Sequence, residues 1–222
     1  MDRNLFQSSA PSGDEGPLNA LGLSPELLHT ALRPGLSRAS NRTGLALSSS
    51  PGTDIYHDTM EQLSLCLADK GWAPVAVGKQ PRFLHPEGLL SFTVASADNV
   101  ANPDPRKKPR VNKGSATRAA LAVPPSDTLA LFTVPEAERS AERAQIAEGA
   151  PFWFLLHERT ERGLKLEFSR PAEMTGITGR GVVYDWDDRI FIPFLDLDGD
   201  LSVFDDPNDG EGGIDVQVEP LP

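Results

Sequence analysis

The sequence predicts an α+β domain: an antiparallel sheet of about six to eight short strands with two main helices, flanked by a mostly disordered N-terminal arm. Three observations carry this. Residues 55–67 repeat apolar positions at helical spacing, and from Trp72 the pattern changes to short β-rich runs punctuated by Gly and Pro. The last of these runs are joined by connections too short for parallel crossovers. The domain is read as 53–204, between an arm over 1–52 and an acidic tail over 205–222.

The first 52 residues are rich in Ser, Gly, Pro and Asn, a composition that buries too little to offset the entropy of ordering. Within them Ser24, Pro25 and Glu26 form a helix-start signature. Leu27, Leu28, Ala31 and Leu32 supply one apolar face and Pro34-Gly35 a stop, so a short helix is expected there. Ile55, Met60, Leu63 and Leu67, with Tyr56 and Cys66 beside them, predict the first main helix, ending at Gly71. Strands are expected over 72–77, 82–85 and 89–95, then a proline-bearing loop over 97–114, a short helix over 115–122 and a strand over 128–134. Pro135 opens the second main helix, through 148. The runs 152–157, 164–168, 181–186 and 189–194 read as strands, the last two as a hairpin about Asp187-Asp188. Two further short edge strands are expected over 201–204 and 214–218.

The segments HPEGLLSFTVASADN, KGSATRAALA, FWFLLHERTERGLKLEFSRPAEM and WDDRIFIPF, in that order after the first main helix, resemble a group of uncharacterised bacterial proteins, often from mobile-element or phage-related regions. The resemblance spans about residues 53–195 and leaves both tails outside. It implies a bacterial cytosolic setting and a single α+β domain. It carries over no catalytic residue, because no activity is established for that group.

The chain has 222 residues and a formal charge of −11, from 21 basic and 32 acidic side chains. Position matters more than the total. From Asp185 onward there are 12 acids and one base, Arg189, which leaves 20 of each before it. The body is neutral, so overall acidity does not exclude contact with nucleic acid. One cysteine, Cys66, excludes an internal disulfide framework and a Cys-rich zinc site. No apolar run has transmembrane length and the N-terminus has no secretory pattern, so a cytoplasmic protein without membrane contact is expected.

Arg106, Lys107, Lys108, Arg110, Lys113 and Arg118 put six cations into 13 residues without an acid, a pattern suited to phosphates or to an acidic partner. A solvated loop, or a clasp onto the chain's own acidic end, explains the same charges. Gly114, Ser115 and Thr117 lie at a helix start, where backbone amides favour an anion; an ordinary Ser115 cap explains them too. Asp196, Asp198 and Asp200 alternate as ligands to a hard cation would, although the EF-hand spacing fails. A metal-dependent nuclease would use these aspartates, or Glu158, Glu161 and Glu167 with Lys165. Cross-strand pairing on a solvated face accounts for the latter set. His29, His57, His85 and His157 are scattered, and no serine sits in a nucleophile turn. The expectation is a non-enzymatic accessory or regulatory binding module without a cofactor, contacting a protein partner or nucleic acid, with the nuclease as the alternative.

Overall fold

The computed structural model describes residues 15–122, 136–176 and 181–197. Their order is α1 (Glu15–Ala20), α2 (Pro25–Ser40), α3 (Ser50–Ala68), β1 (Ala73–Val77), β2 (Gln80–Leu84), β3 (Ser91–Ser96), β4 (Val111–Lys113), α4 (Ser115–Ala122), α5 (Glu136–Gly149), β5 (Phe152–Arg159), β6 (Gly163–Met174) and β7 (Gly181–Asp196). The class is α+β, with one seven-stranded sheet in the order β1-β2-β3-β5-β6-β7-β4. Among the described residues, no helix is long and apolar enough to cross a membrane. The strands expected over 128–134, 201–204 and 214–218 lie outside the described residues.

The sheet is mixed, which corrects the antiparallel expectation. β3 and β5 run parallel, from Ser91 opposite Phe152 to Ser96 opposite His157, whereas the other pairs are antiparallel. More than fifty residues separate β3 from β5 in sequence, and a crossover of that length makes parallel pairing possible.

The helix count also exceeds two, and the segment over 15–52, expected in the arm, carries ordered structure. Ser24 Oγ accepts a hydrogen bond from the Leu27 amide at 3.2 Å, and Pro25 opens α2 as expected. The helix does not stop at Pro34 but continues to Ser40. An interior proline costs roughly 3 kcal/mol. The stripe Leu28, Ala31, Leu32, Gly35, Leu36, Ala39 is buried throughout, however, and its second half exists only if the helix continues. Arg42 grips Asp54 at 2.6 and 2.7 Å, and Arg38 meets Asp58 at 2.9 Å, fastening the end of α2 to α3.

α3 follows the expected stripe, with Ile55, Leu63 and Leu67 buried, and Cys66 is partly covered. Gly71 takes a left-handed φ of 78°, while the Trp72 amide returns to the Leu67 carbonyl at 3.2 Å. The alternating faces of the strands separate two layers. One face packs Phe83, Phe92, Val94, Leu155, Leu164, Leu166, Phe168, Ile192 and Leu195 against α1, α2 and α3. The other packs Ala95, Phe152, Phe154, Leu156, Val183 and Trp186 beneath the 97–111 segment, while α5 covers β1 and β2.

The hairpin about Asp187-Asp188 is absent: β7 is one strand of 16 residues. Arg170 on β6 lies opposite Asp188 and binds both carboxylates, Asp187 and Asp188 each at 3.1 Å. The acid pair that reads as a turn is thus a cross-strand charge cluster, and register shifts between Arg170 and Met174 absorb the twist.

Candidate functional site

The segment joining β3 to β4 is a closed loop lying over β5, β6 and β7. Asp98 and Arg110 exchange two backbone hydrogen bonds at its base, at 3.2 and 3.0 Å. Consecutive amides at its start are held by glutamates from neighbouring strands. Val100 N–H donates to Glu158 of β5 at 3.0 Å, and Ala101 N–H donates to Glu167 of β6 at 2.9 Å. Asn99 and Ala101 adopt positive φ, 63° and 48°; asparagine enters this region readily, whereas at Ala101 it is a costly conformation held by the bond to Glu167. The Trp186 indole of β7 pins the far side by donating to the Pro109 carbonyl at 2.8 Å.

This closure spends most of the six cations. Arg106 caps Asp104 of its own turn, and its hydrogen bonds hold that carboxyl below its ordinary range. Lys108 is paired with Asp185 of β7, whose carboxyl is likewise lowered by that bond. Lys113 extends over the Phe154 ring, 5.3 Å from its centroid, and burial brings its ammonium down to about 8. Arg118 donates to the carbonyls of Gly176 and Thr175 beyond β6. Lys107 and Arg110 remain exposed, without a side-chain ion pair among the described residues.

The ion pair between the loop's cations and β7 is therefore Lys108 with Asp185. Asp196 lies 11 residues further along β7, up to roughly 36 Å at the rise of an extended strand. There Arg162 reaches its carboxylate at 3.5 Å. Asp198 and Asp200 lie outside the described residues. No group of three or more His, Cys, Asp or Glu able to share a metal occurs among the described residues.

Gly114 precedes α4 and Ser115 is its first residue, both exposed, whereas Thr117 is buried. Gln80 Nε2 lies 3.2 Å from the Thr117 hydroxyl, and Gln80 Oε1 accepts from Arg82 Nε at 3.0 Å. This chain leads to a buried guanidinium. Arg82 is 1% exposed, lies 4.2 Å over the Phe152 ring and donates to the Ala147 and Ala116 carbonyls. Burial lowers its affinity for the proton, to about 10. Its contact with the C-terminal turn of α5 places the charge where the helix dipole is negative.

Glu158, Lys165 and Glu167 are on the same sheet face, but only the first two form the solvated pair expected, at 3.7 Å. Glu167 is fully buried. It accepts from Arg189 at 2.6 and 2.8 Å, from Ser169 at 2.5 Å and from the Ala101 amide. Its oxygens are committed to scaffolding. Glu161 lies with Thr160, Arg162, Lys165 and Phe194 around a shallow open depression at the β5–β6 turn. His157 is 2% exposed with neither ring nitrogen hydrogen-bonded, and burial, aided by the charge of Lys113, brings its proton affinity down to about 4. Phe152 and Phe154 are buried edge to face and offer no stacking surface.

The feature that sequence reasoning missed is the outer edge of β7. β4 pairs with it only from Gly181 to Val183. Beyond that, no strand among the described residues lies against this edge. It presents Tyr184, Phe191 and Phe194, each between 40 and 44% exposed, and Arg189 spans the ring of Phe191 and the carboxylate of Glu167. His29 and Arg33 of α2 reach the Pro193 and Asp196 carbonyls and blunt the last turn of the edge. The opposite edge of the sheet is the five-residue β1, interrupted by Pro74. The signal in the sequence is Pro193 beside clustered acids, the marks of an edge strand.

No family model, no curated protein and no solved structure matches this chain.

Proposed function

We propose that the chain is a non-enzymatic binding module that takes a protein partner at the outer edge of β7. The single observation that carries this reading is a 16-residue strand whose outer edge is paired only at 181–183 among the described residues, while three large aromatic side chains stand exposed along it. An open edge of this kind offers a row of backbone donors and acceptors, and side chains on alternate positions supply selectivity. The cation pattern favours protein over nucleic acid. Phosphate binding gains from each cation that is free to displace counterions; of the six, Lys113 is buried over the Phe154 ring and Arg118 is held by the Gly176 and Thr175 carbonyls, while Arg106 and Lys108 already face carboxylates that repel phosphate. Of the carboxylates the nuclease alternative would use, Glu167 is engaged by Arg189, Ser169 and the Ala101 amide.

Selection of a random decapeptide display library on the folded chain tests this. Enriched peptides are expected to shift the backbone resonances of 187–192 and to lose binding to a Phe191→Ala, Phe194→Ala variant. Peptides that map instead to 104–110, or a selection that enriches none, would overturn the reading.

A further inference from the structure

We infer that the partner segment is basic and extended, and that it adds to β7 as one more strand between Asp187 and Ile192. This rests on the reading of β7 as the docking edge. The window is bounded by the chain itself. On one side β4 occupies 181–183 and the Pro109 carbonyl holds Trp186; on the other stands Pro193, which has no N–H to offer and whose carbonyl is taken by His29. Among the described residues nothing pairs with the outer edge of the six that remain, roughly 20 Å of strand, the usual length of a paired strand in a sheet.

Charge complementarity selects the occupant. Asp185 precedes the window and Asp187 and Asp188 open it, answered among the described residues by Lys108 and Arg170 in pairs that solvent reaches. Such pairs are weak and exchange readily with incoming cations. Residues 198–222, which follow β7 directly, carry eight acids and no base. A strand bearing Lys or Arg at its solvated positions gains from these aspartates, and one bearing acids is repelled by them. The same lack of complement disfavours the chain's own tail as occupant, and disfavours a second copy, whose edge brings Asp185, Asp187 and Asp188 against one base, Arg189. Apolar positions of the incoming strand would share the face of Phe191, beside Arg189.

The test uses the full chain, isotopically labelled, with three synthetic octapeptides that alternate Val with Lys, Glu or Ser. The Lys peptide is expected to shift the amides of 187–192 and to slow hydrogen exchange of those that face outward. Its affinity should exceed that of the Ser peptide by about tenfold and fall about tenfold between low and high salt. An Asp185→Asn, Asp187→Asn variant should weaken it severalfold with the same residues shifted. Equal binding of the Ser or Glu peptide at 187–192 would sink the basic partner while leaving the docking edge intact. Shifts confined to 198–222 would show ion pairing without strand addition and also overturn the inference. If no peptide touches 187–192, the docking edge fails as well.

Discussion

Arg189 and Glu167 form a two-point ion pair across the β6–β7 ladder, Nε to Oε1 at 2.6 Å and Nη2 to Oε2 at 2.8 Å, around a carboxylate that solvent does not reach. The pair ties three structures together. Glu167 anchors the interstrand loop through Ala101, Arg189 lies on the partly open strand, and the Arg189 guanidinium supports the exposed ring of Phe191. The loop and the docking edge therefore share one electrostatic hinge.

Removing one partner should be costly. Arg189→Met leaves a buried carboxylate unpaired and is expected to lower stability by about 3–5 kcal/mol, whereas the Arg189→Met, Glu167→Met double variant should recover part of that loss, the rest being the orphaned Ser169 hydroxyl and Ala101 amide. Urea denaturation midpoints report both. A single variant as stable as the parent would show that the pair is not structural.

Acid should weaken the fold before the carboxylates titrate. The folded chain holds His157 neutral down to about pH 4, while the unfolded imidazole takes its proton near 6.5. The stability this contributes is complete above about pH 6.5 and is lost as pH falls toward 4, on the order of 3 kcal/mol in all. His85, also lowered by burial, acts in the same sense. Unfolding free energy measured from pH 7 to 4 should fall, and His157→Leu should reduce the slope without abolishing it. An unchanged slope in that variant would contradict the burial of the imidazole.

Gly35→Ala sets helix propensity against packing. Propensity alone would favour alanine by roughly 1 kcal/mol. A β-carbon at 35, however, would stand 2.7 Å from the Ile55 α-carbon and 3.1 Å from the Asp54 carbonyl, both backbone. Overpacking of this kind costs about 1–3 kcal/mol, so net destabilisation is expected in thermal unfolding. A more stable variant would mean that α2 and α3 are further apart.

The exposed aromatics should separate binding from folding. Phe191→Ala with Phe194→Ala is expected to change stability by less than about 1 kcal/mol, because each ring is over 40% exposed. Binding of the Lys–Val peptide should nevertheless fall strongly. A large loss of stability, read by denaturation, would instead assign the rings to the core.

Much of this architecture was legible where local pattern decides it. Ile55, Leu63 and Leu67 announced α3, Gly71 its end, and the β-rich runs most of the strands. α2 was under-read because Pro34-Gly35 signals a stop locally, while Leu36, Ala39 and the close approach of Gly35 to α3 reward continuation. Asp187-Asp188 misled for the same reason, since Arg170 is remote in sequence. The parallel β3–β5 pairing depends on a contact across more than fifty residues, which periodicity does not encode. Of the site, the cations were found but not their partners. In Leu164-Lys165-Leu166-Glu167, alternation marks Glu167 as a solvated position; only the folded-back loop buries it.

Residue-level amide hydrogen exchange over 181–196, with and without the Lys–Val octapeptide, bears most directly on the open edge of β7. In the free chain, amides of 187–192 should alternate, those bonded to β6 exchanging slowly and those facing outward exchanging fast, as an unpaired antiparallel edge requires. The peptide should slow the outward set by about tenfold or more and leave the inward set unchanged. Uniform protection in the free chain, or an outward set that the peptide does not slow, would contradict a docking edge on β7.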